Sequence, residues 1–328
     1  MRLFGAVLIV SSAGQVYRLD ANTGETLKLY ELTHSLEAKY TILAIHRSLV
    51  LCNSTHRMVA LSRDRLKKVW KSGDLGDRFD CAEVVAGRLF VACDGEVHAV
   101  DLETGQTVFS ERFEGPRKAL TLLGDELTDP EKPLVYVGHC GMVHVIDVKA
   151  QCRRETHMLV SEDASFGVAI SLYRGLLIAA SGGVVMAFNT SDYKECWLHQ
   201  YGHETGHQFI ASLHCTRHNG KDLVLVGSNG YLLAVDPKSG EQLWITSLPR
   251  GGYAFVSTLL YDDVLYSASN GRIWSINPDN GEVLWNMSLS GMGSHSPLLV
   301  ATNTRNNMAS DTPILQAQHR MPDFSLFR

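Results

Sequence analysis

Short runs of alternating or continuous apolar residues follow one another along most of the chain, each cut off by a glycine-containing turn. One phrase recurs: a short β run, a glycine turn, a second β run ending in Asp or Asn, a tight turn with Gly, and a third run that often holds Trp. Four copies are clear, at residues 7–25, 89–106, 223–244 and 264–285, where the second run ends on Asp20, Asp101, Asp236 and Asn277 in turn. Three degenerate copies, Leu49 to Trp70, Leu134 to Thr156 and Leu176 to Trp197, bring the number to seven. Gly24 and Gly281 are six repeats apart, about 43 residues each, the period of a four-stranded propeller blade. Helical solenoids of similar period are excluded by the β-branched and small residues and by a Gly or Pro every few positions.

The letters of the phrase have physical reasons. In Asp-x-x-Thr/Ser-Gly-Glu, the Asp side chain accepts hydrogen bonds from the turn backbone and the Gly supplies the positive φ that a short hairpin needs. The large residues that follow (Trp70, Phe109, Trp197, Trp244 and Trp285) are expected to pack between neighbouring blades, each aromatic burying roughly 150–250 Å². The first repeat lacks an innermost strand before Val7, whereas Ser294-His-Ser-Pro-Leu-Leu-Val-Ala301 reads as an innermost strand with no blade after it. The expected fold is therefore all-β: a seven-bladed β-propeller of four-stranded antiparallel blades over residues 1–301, closed by a C-terminal strand that completes the N-terminal blade. Residues 302–328, beginning Thr-Asn-Thr-Arg-Asn-Asn, carry no blade pattern and are expected to form a flexible C-terminal tail.

The Asp-x-x-x-Gly-x-x-x-Trp phrase resembles the PQQ-like repeat family, which includes quinoprotein alcohol dehydrogenases and non-enzymatic propellers of the BamB type. The resemblance runs from about residue 3 to about residue 301. It is specific for fold and poor for function, because one fold hosts many functions. The quinoprotein enzymes it brings in are longer, typically eight-bladed, and carry calcium ligands, a Trp cofactor floor and often a vicinal disulfide. This chain has no Cys-Cys and a blade fewer, and Trp274 reads as core, so PQQ-dependent dehydrogenase activity and a bound cofactor are not expected.

Composition narrows the partners. In 328 residues, 45% hydrophobic, the 30 basic and 35 acidic side chains give a net charge of −5 without long blocks of one sign. Bulk electrostatics therefore favour neither nucleic acid nor an anionic membrane. The seven cysteines are scattered without a C-x-x-C pair, which suits reduced thiols in the cytoplasm. The apolar start, Met1 to Val10, is short and flows straight into the first strand, so it is read as structure rather than as a leader.

In an up-and-down blade, the turns joining strands two and three share one end with the links to the next blade, and the Asp-x-x-Thr-Gly turns occupy the other. The first end, here called the top, is where propeller ligands gather over the channel. Residues opening each innermost strand there lie near Lys39, Arg78, Arg117, Lys118, Ser165, His207, Gln208, Tyr253 and His295. Of these, Arg78, Arg117, Lys118, His207, Gln208, Tyr253 and His295 form the candidate ligand or partner site, a mildly basic mouth suited to an anionic group or acidic peptide; solvated loop charge is the alternative.

His203-Glu-Thr-Gly-His207 matches H-E-x-x-H, but zinc proteases need that motif on a helix, and this copy contains Gly and lies between two predicted strands. No metal and no catalytic residue is assigned. His139 and Cys140 fall in a top turn, a pairing that means nothing without spatial context. The acidic loop Asp125-Glu-Leu-Thr-Asp-Pro-Glu131 is expected at the bottom. The leading reading is a non-catalytic platform for a protein partner, since a rigid disc with variable loops presents broad surfaces at low entropic cost. The alternatives are a carbohydrate-binding lectin, a small-ligand binder, and the propeller domain of a larger adenylating, amino-acid-activating enzyme.

Overall fold

The computed structural model describes residues 7–12, 15–20, 25–32, 43–115, 120–126, 128–161, 167–201, 212–251, 256–261 and 263–289. Contacts divide the chain into two compact units, residues 1–112 and 113–328.

The first unit holds three antiparallel sheets. β1 (Val7–Ser12), β2 (Gln15–Asp20) and β3 (Thr26–Glu31) form a three-stranded sheet. β4 (Leu43–His46), β5 (Leu49–Ser54), β6 (Arg57–Ser62) and β7 (Lys68–Lys71) form the next. β8 (Phe79–Val85), β9 (Arg88–Cys93), β10 (Glu96–Asp101) and β11 (Thr107–Arg112) form the third.

The second unit holds four more, each a four-stranded meander. They are β12 (Thr121–Asp125), β13 (Leu134–His139), β14 (Met142–Asp147) and β15 (Cys152–Leu159); β16 (Ala169–Tyr173), β17 (Leu176–Ser181), β18 (Val184–Asn189) and β19 (Glu195–Gln200). Then come β20 (Ser212–His218), β21 (Lys221–Ser228), β22 (Tyr231–Val235) and β23 (Gln242–Ser247), and last β24 (Ser257–Tyr261), β25 (Val264–Ser269), β26 (Arg272–Ile276) and β27 (Val283–Ser288). Among the described residues there is no helix long and apolar enough to cross a membrane. The expected closing strand, 294–301, and the tail, 302–328, lie outside the described residues.

The strands β9, β13, β17 and β21 are buried on both faces, which is why they read as continuous apolar runs rather than alternating ones. Within each unit, cores lie between successive sheets. Leu51, Met58 and Trp70 meet Leu89, Val91 and Val100 in the first unit, and Ile178, Val185 and Trp197 meet Val224, Leu233 and Val235 in the second.

The bottom turns follow the chemistry expected of them. Asp101 Oδ1 accepts hydrogen bonds from the Glu103 amide (3.1 Å) and from the Thr104 amide and hydroxyl (2.8 Å each). Asp236 does the same for Lys238 and Ser239. Gly105, Gly240 and Gly281 close these turns with φ of 74°, 74° and 75°.

Each of those glycines also seats an indole from the preceding sheet. A Cβ on Gly105 would stand 2.7 Å from the Trp70 ring, and one on Gly240 or Gly281 would stand 2.6 Å from Trp197 or Trp244. The same indoles donate Nε1–H to the carbonyls of Leu102 (2.7 Å), Pro237 (2.8 Å) and Pro278 (2.9 Å). Trp285, expected to pack likewise, stands 45% exposed on the last sheet among the described residues. Trp274 is core, fully buried against Leu232, Trp244 and Leu265.

Candidate functional site

The top end of a four-stranded blade is built from the turn joining its second and third strands and the link entering its innermost strand. In the third sheet, Asp94 adopts a left-handed φ of 51° at the β9–β10 turn. Its Oδ2 accepts the amides of Asp77 (2.7 Å) and Arg78 (3.2 Å), and its own amide donates to the Arg78 carbonyl (3.1 Å). Gly76 makes this approach feasible, because a Cβ there would lie 2.8 Å from Asp94 Oδ2. Arg78 is thus held by its backbone at the start of β8 while its side chain is exposed. The charges beside it are mixed, since the Asp77 carboxylate pairs with His56.

In the second unit, the top of the β12–β15 sheet gathers aromatic and titratable groups. Phe113 packs against His139 (centroids 5.9 Å, 62° between planes) and His144 (5.1 Å, 53°). All three are buried, and Arg153 lies over the Phe113 ring at 5.4 Å. Cys140, half-buried at the β13–β14 turn, places Sγ 3.2 Å from His139 Nε2. Sequence adjacency alone carried no such information; the contact depends on Cys140 taking a φ of 47°.

The equivalent turns serve as an internal comparison. The paired positions are Cys93-Asp94, Ser181-Gly182, Ser228-Asn229 and Ser269-Asn270, where Asp, Gly or Asn takes the left-handed residue, with φ from 47° to 57°. His139-Cys140 departs from that chemistry at both positions. His98 and His144 likewise share one position of their blades, three residues before Asp101 and Asp147, where Val59, Met186, Leu233 and Trp274 stand in others. Burial pushes the His98 imidazole below its ordinary range, against the pull of Glu96, and Nδ1 lies 2.8 Å from Ser110 Oγ.

Of the candidate mouth residues, only Arg78 is among those described; Lys39, Arg117, Lys118, Ser165, His207, Gln208, Tyr253 and His295 lie outside, as does the whole H-E-x-x-H segment. Among the described residues no three or more His, Cys, Asp or Glu side chains converge as a metal site. The acidic loop does sit at the bottom end: Glu131 pairs with Lys149 of the Asp147 turn at 3.0 Å, and Asp125, buried, accepts the Thr128 amide at 3.0 Å. All seven cysteines are free thiols.

Comparison with known proteins follows the same lines. The family model described as outer membrane protein assembly factor BamB matches residues 4–165 and 67–297. No curated protein matches significantly by sequence. Among solved structures, BamB from Moraxella catarrhalis is 16% identical with a TM-score of 0.67, covering 87% of this chain and 86% of its own. The computationally designed Ika8 protein is 14% identical with a TM-score of 0.67, covering 90% and 88%. Quinohemoprotein alcohol dehydrogenase from Comamonas testosteroni is 11% identical with a TM-score of 0.62, covering 88% of this chain and 66% of its own. At such identities the likeness is one of fold, a β-propeller, and not of activity. With a family model matched over nearly its whole length and the blade phrase realised sheet by sheet, this chain belongs to the BamB-like family of PQQ-repeat β-propellers.

Proposed function

We propose that this chain is a non-catalytic interaction platform that binds a protein partner through the top ends of its blades. The observation that carries the reading is the contrast between the two ends. At the bottom, Asp101, Asp147, Asn189, Asp236 and Asn277 all turn a side-chain oxygen onto their own backbone, so that end repeats one structural device. At the top, beside turns that repeat Asp, Gly or Asn, particular positions differ between blades, with exposed Arg78 in one sheet and His139-Cys140 in another. Variable loops on a repeated scaffold are where recognition concentrates. Arg78, Arg117, Lys118, His207, Gln208, Tyr253 and His295 are the proposed contacts, with an acidic peptide as the fitting partner. Free thiols support a reducing compartment, the cytoplasm.

The test is parallel affinity purification with wild type, a top variant (Arg78→Glu with Arg117→Glu) and a bottom variant (Lys149→Glu). A partner retained by wild type and the bottom variant but lost from the top variant supports the reading. Loss from the bottom variant alone overturns it, and binding of a glycan array in place of any protein favours the lectin alternative.

A further inference from the structure

We propose that Cys140 and His139 form a thiol–imidazole pair that makes Cys140 a modification site, oxidised by hydroperoxides to the sulfenic acid. Three observations on the second unit carry it, independently of what the top end binds.

The first is geometry. Cys140 Sγ lies 3.2 Å from His139 Nε2, within reach for the imidazole to take the thiol proton. His139 is 3% exposed, and its ring is clasped by Phe113, which itself packs on His144, so the base is oriented by packing rather than by chance rotation.

The second is access. Gly115 lies directly over the pair: a Cβ there would stand 2.8 Å from His139 Cε1 and 2.9 Å from Cys140 Sγ. Any side chain at 115 would crowd the thiol, whereas glycine leaves Cys140 half-buried rather than sealed.

The third is the comparison between blades. A left-handed residue at this turn is Asp, Gly or Asn in four other sheets, types that tolerate positive φ; Cys140 does so at φ 47° with no side chain suited to it. The other thiols differ. Cys52, Cys81, Cys93 and Cys215 are buried, and burial pushes Cys52, Cys93 and Cys215 up to about 12. Cys152 and Cys196 are exposed on the outer strands β15 and β19.

The step balances. The thiol proton passes to His139 Nε2; sulfur attacks the terminal peroxide oxygen, forming S–O as O–O breaks. The departing hydroxide, or the alkoxide of an alkyl hydroperoxide, takes the proton from His139 and leaves as water or alcohol. Sulfur is oxidised by two electrons and the peroxide is reduced.

The experiment treats the folded full chain with limiting hydrogen peroxide and dimedone, and reads adduct at each cysteine by peptide mass spectrometry. Cys140 is expected to label about tenfold faster than Cys152 and Cys196, and His139→Gln to slow Cys140 alone by about tenfold or more. Equal labelling of Cys140 and Cys196 overturns the proposal, as does a folded His139→Gln variant with an unchanged Cys140 rate. Cys52 and Cys215 monitor the fold: if they become labelled in the variant, the wild-type ratio of Cys140 to Cys196 decides.

Discussion

Trp70 donates its indole hydrogen to the carbonyl of Leu102, 2.7 Å away and in the next sheet, and rests the same ring on the turn that Leu102 opens. Trp197 with Pro237 and Trp244 with Pro278 repeat the relationship. The seat in each case is a glycine constrained twice, by its positive φ and by the ring above it.

Gly240→Ala is therefore expected to cost about 2–4 kcal/mol, combining left-handed strain with collision against Trp197. Gly175, with φ 79° and nothing within 4 Å of an added Cβ, isolates the strain alone. Gly175→Ala should cost only about 1–2 kcal/mol. Urea unfolding of both variants measures the difference; equal costs would mean the indole yields without loss.

Acid should loosen the bottom turns. Hydrogen bonds from the Thr104 hydroxyl and amide hold the Asp101 carboxyl below its ordinary value of 3.8. At Asp236 burial pushes upward, but the Ser239 and Lys238 amides prevail and the net direction is again down. A folded value below the unfolded one means stability that is whole above the ordinary value and lost as pH falls through it toward the lowered one. Melting temperature should thus drop between about pH 5 and pH 3, and Asp101→Asn with Asp236→Asn should shrink that drop.

A second titration lies between neighbouring sheets of the second unit. Tyr173 donates to Asp222 at 2.8 Å, and Arg174 meets the same carboxylate at 2.8 Å. Burial first, and then the bond to Asp222, push the Tyr173 phenol up to about 12. Its contribution to stability is whole below the ordinary value of 10 and is lost as pH rises through about 12. In Asp222→Ala, ultraviolet titration should show one tyrosine ionising closer to its ordinary value, with a loss of about 1–3 kcal/mol for the vacated hydrogen bonds.

Hydroxyl clasps join sheets near their inner edges, and these too are open to test. Thr121 Oγ1 donates to the Val168 carbonyl at 2.6 Å, and Ser212 Oγ to that of Val256. Gly138 and Gly227 leave room for them; a Cβ would lie 2.7 Å from Val168 O and 2.8 Å from Val256 Cβ respectively. Thr121→Val is expected to cost about 1–2 kcal/mol by chemical denaturation, and Gly138→Val more than that.

The strands were legible because burial on both faces of β9 or β21 writes itself as an apolar run, and the bottom turns because Asp101 and Asp236 are followed by the donors and glycine they need. That Trp70, Trp197 and Trp244 pack between sheets was also legible, although Trp285 is left exposed. Their seat was not, since nothing in the spacing ties Trp70 to Gly105 rather than to another turn. The Cys140–His139 contact escaped for a different reason. Adjacent residues in a strand point to opposite faces, and only the left-handed turn brings these two together. Links such as the one ending at Arg78 carry no period at all, so pattern reading finds the end of the blade they occupy but not the company they keep.

The glycine-seated indoles have a consequence for how this family can change. The turns of Asp101, Asp236 and Asn277 answer to two masters, the hairpin itself and the tryptophan of the sheet before it, so a mutation that suits one is vetoed by the other. At the opposite end, Asp94 and Asn270 brace the links that enter their own sheets. Gly105, Gly240 and Gly281 are thus positions where any change must satisfy two neighbouring sheets at once.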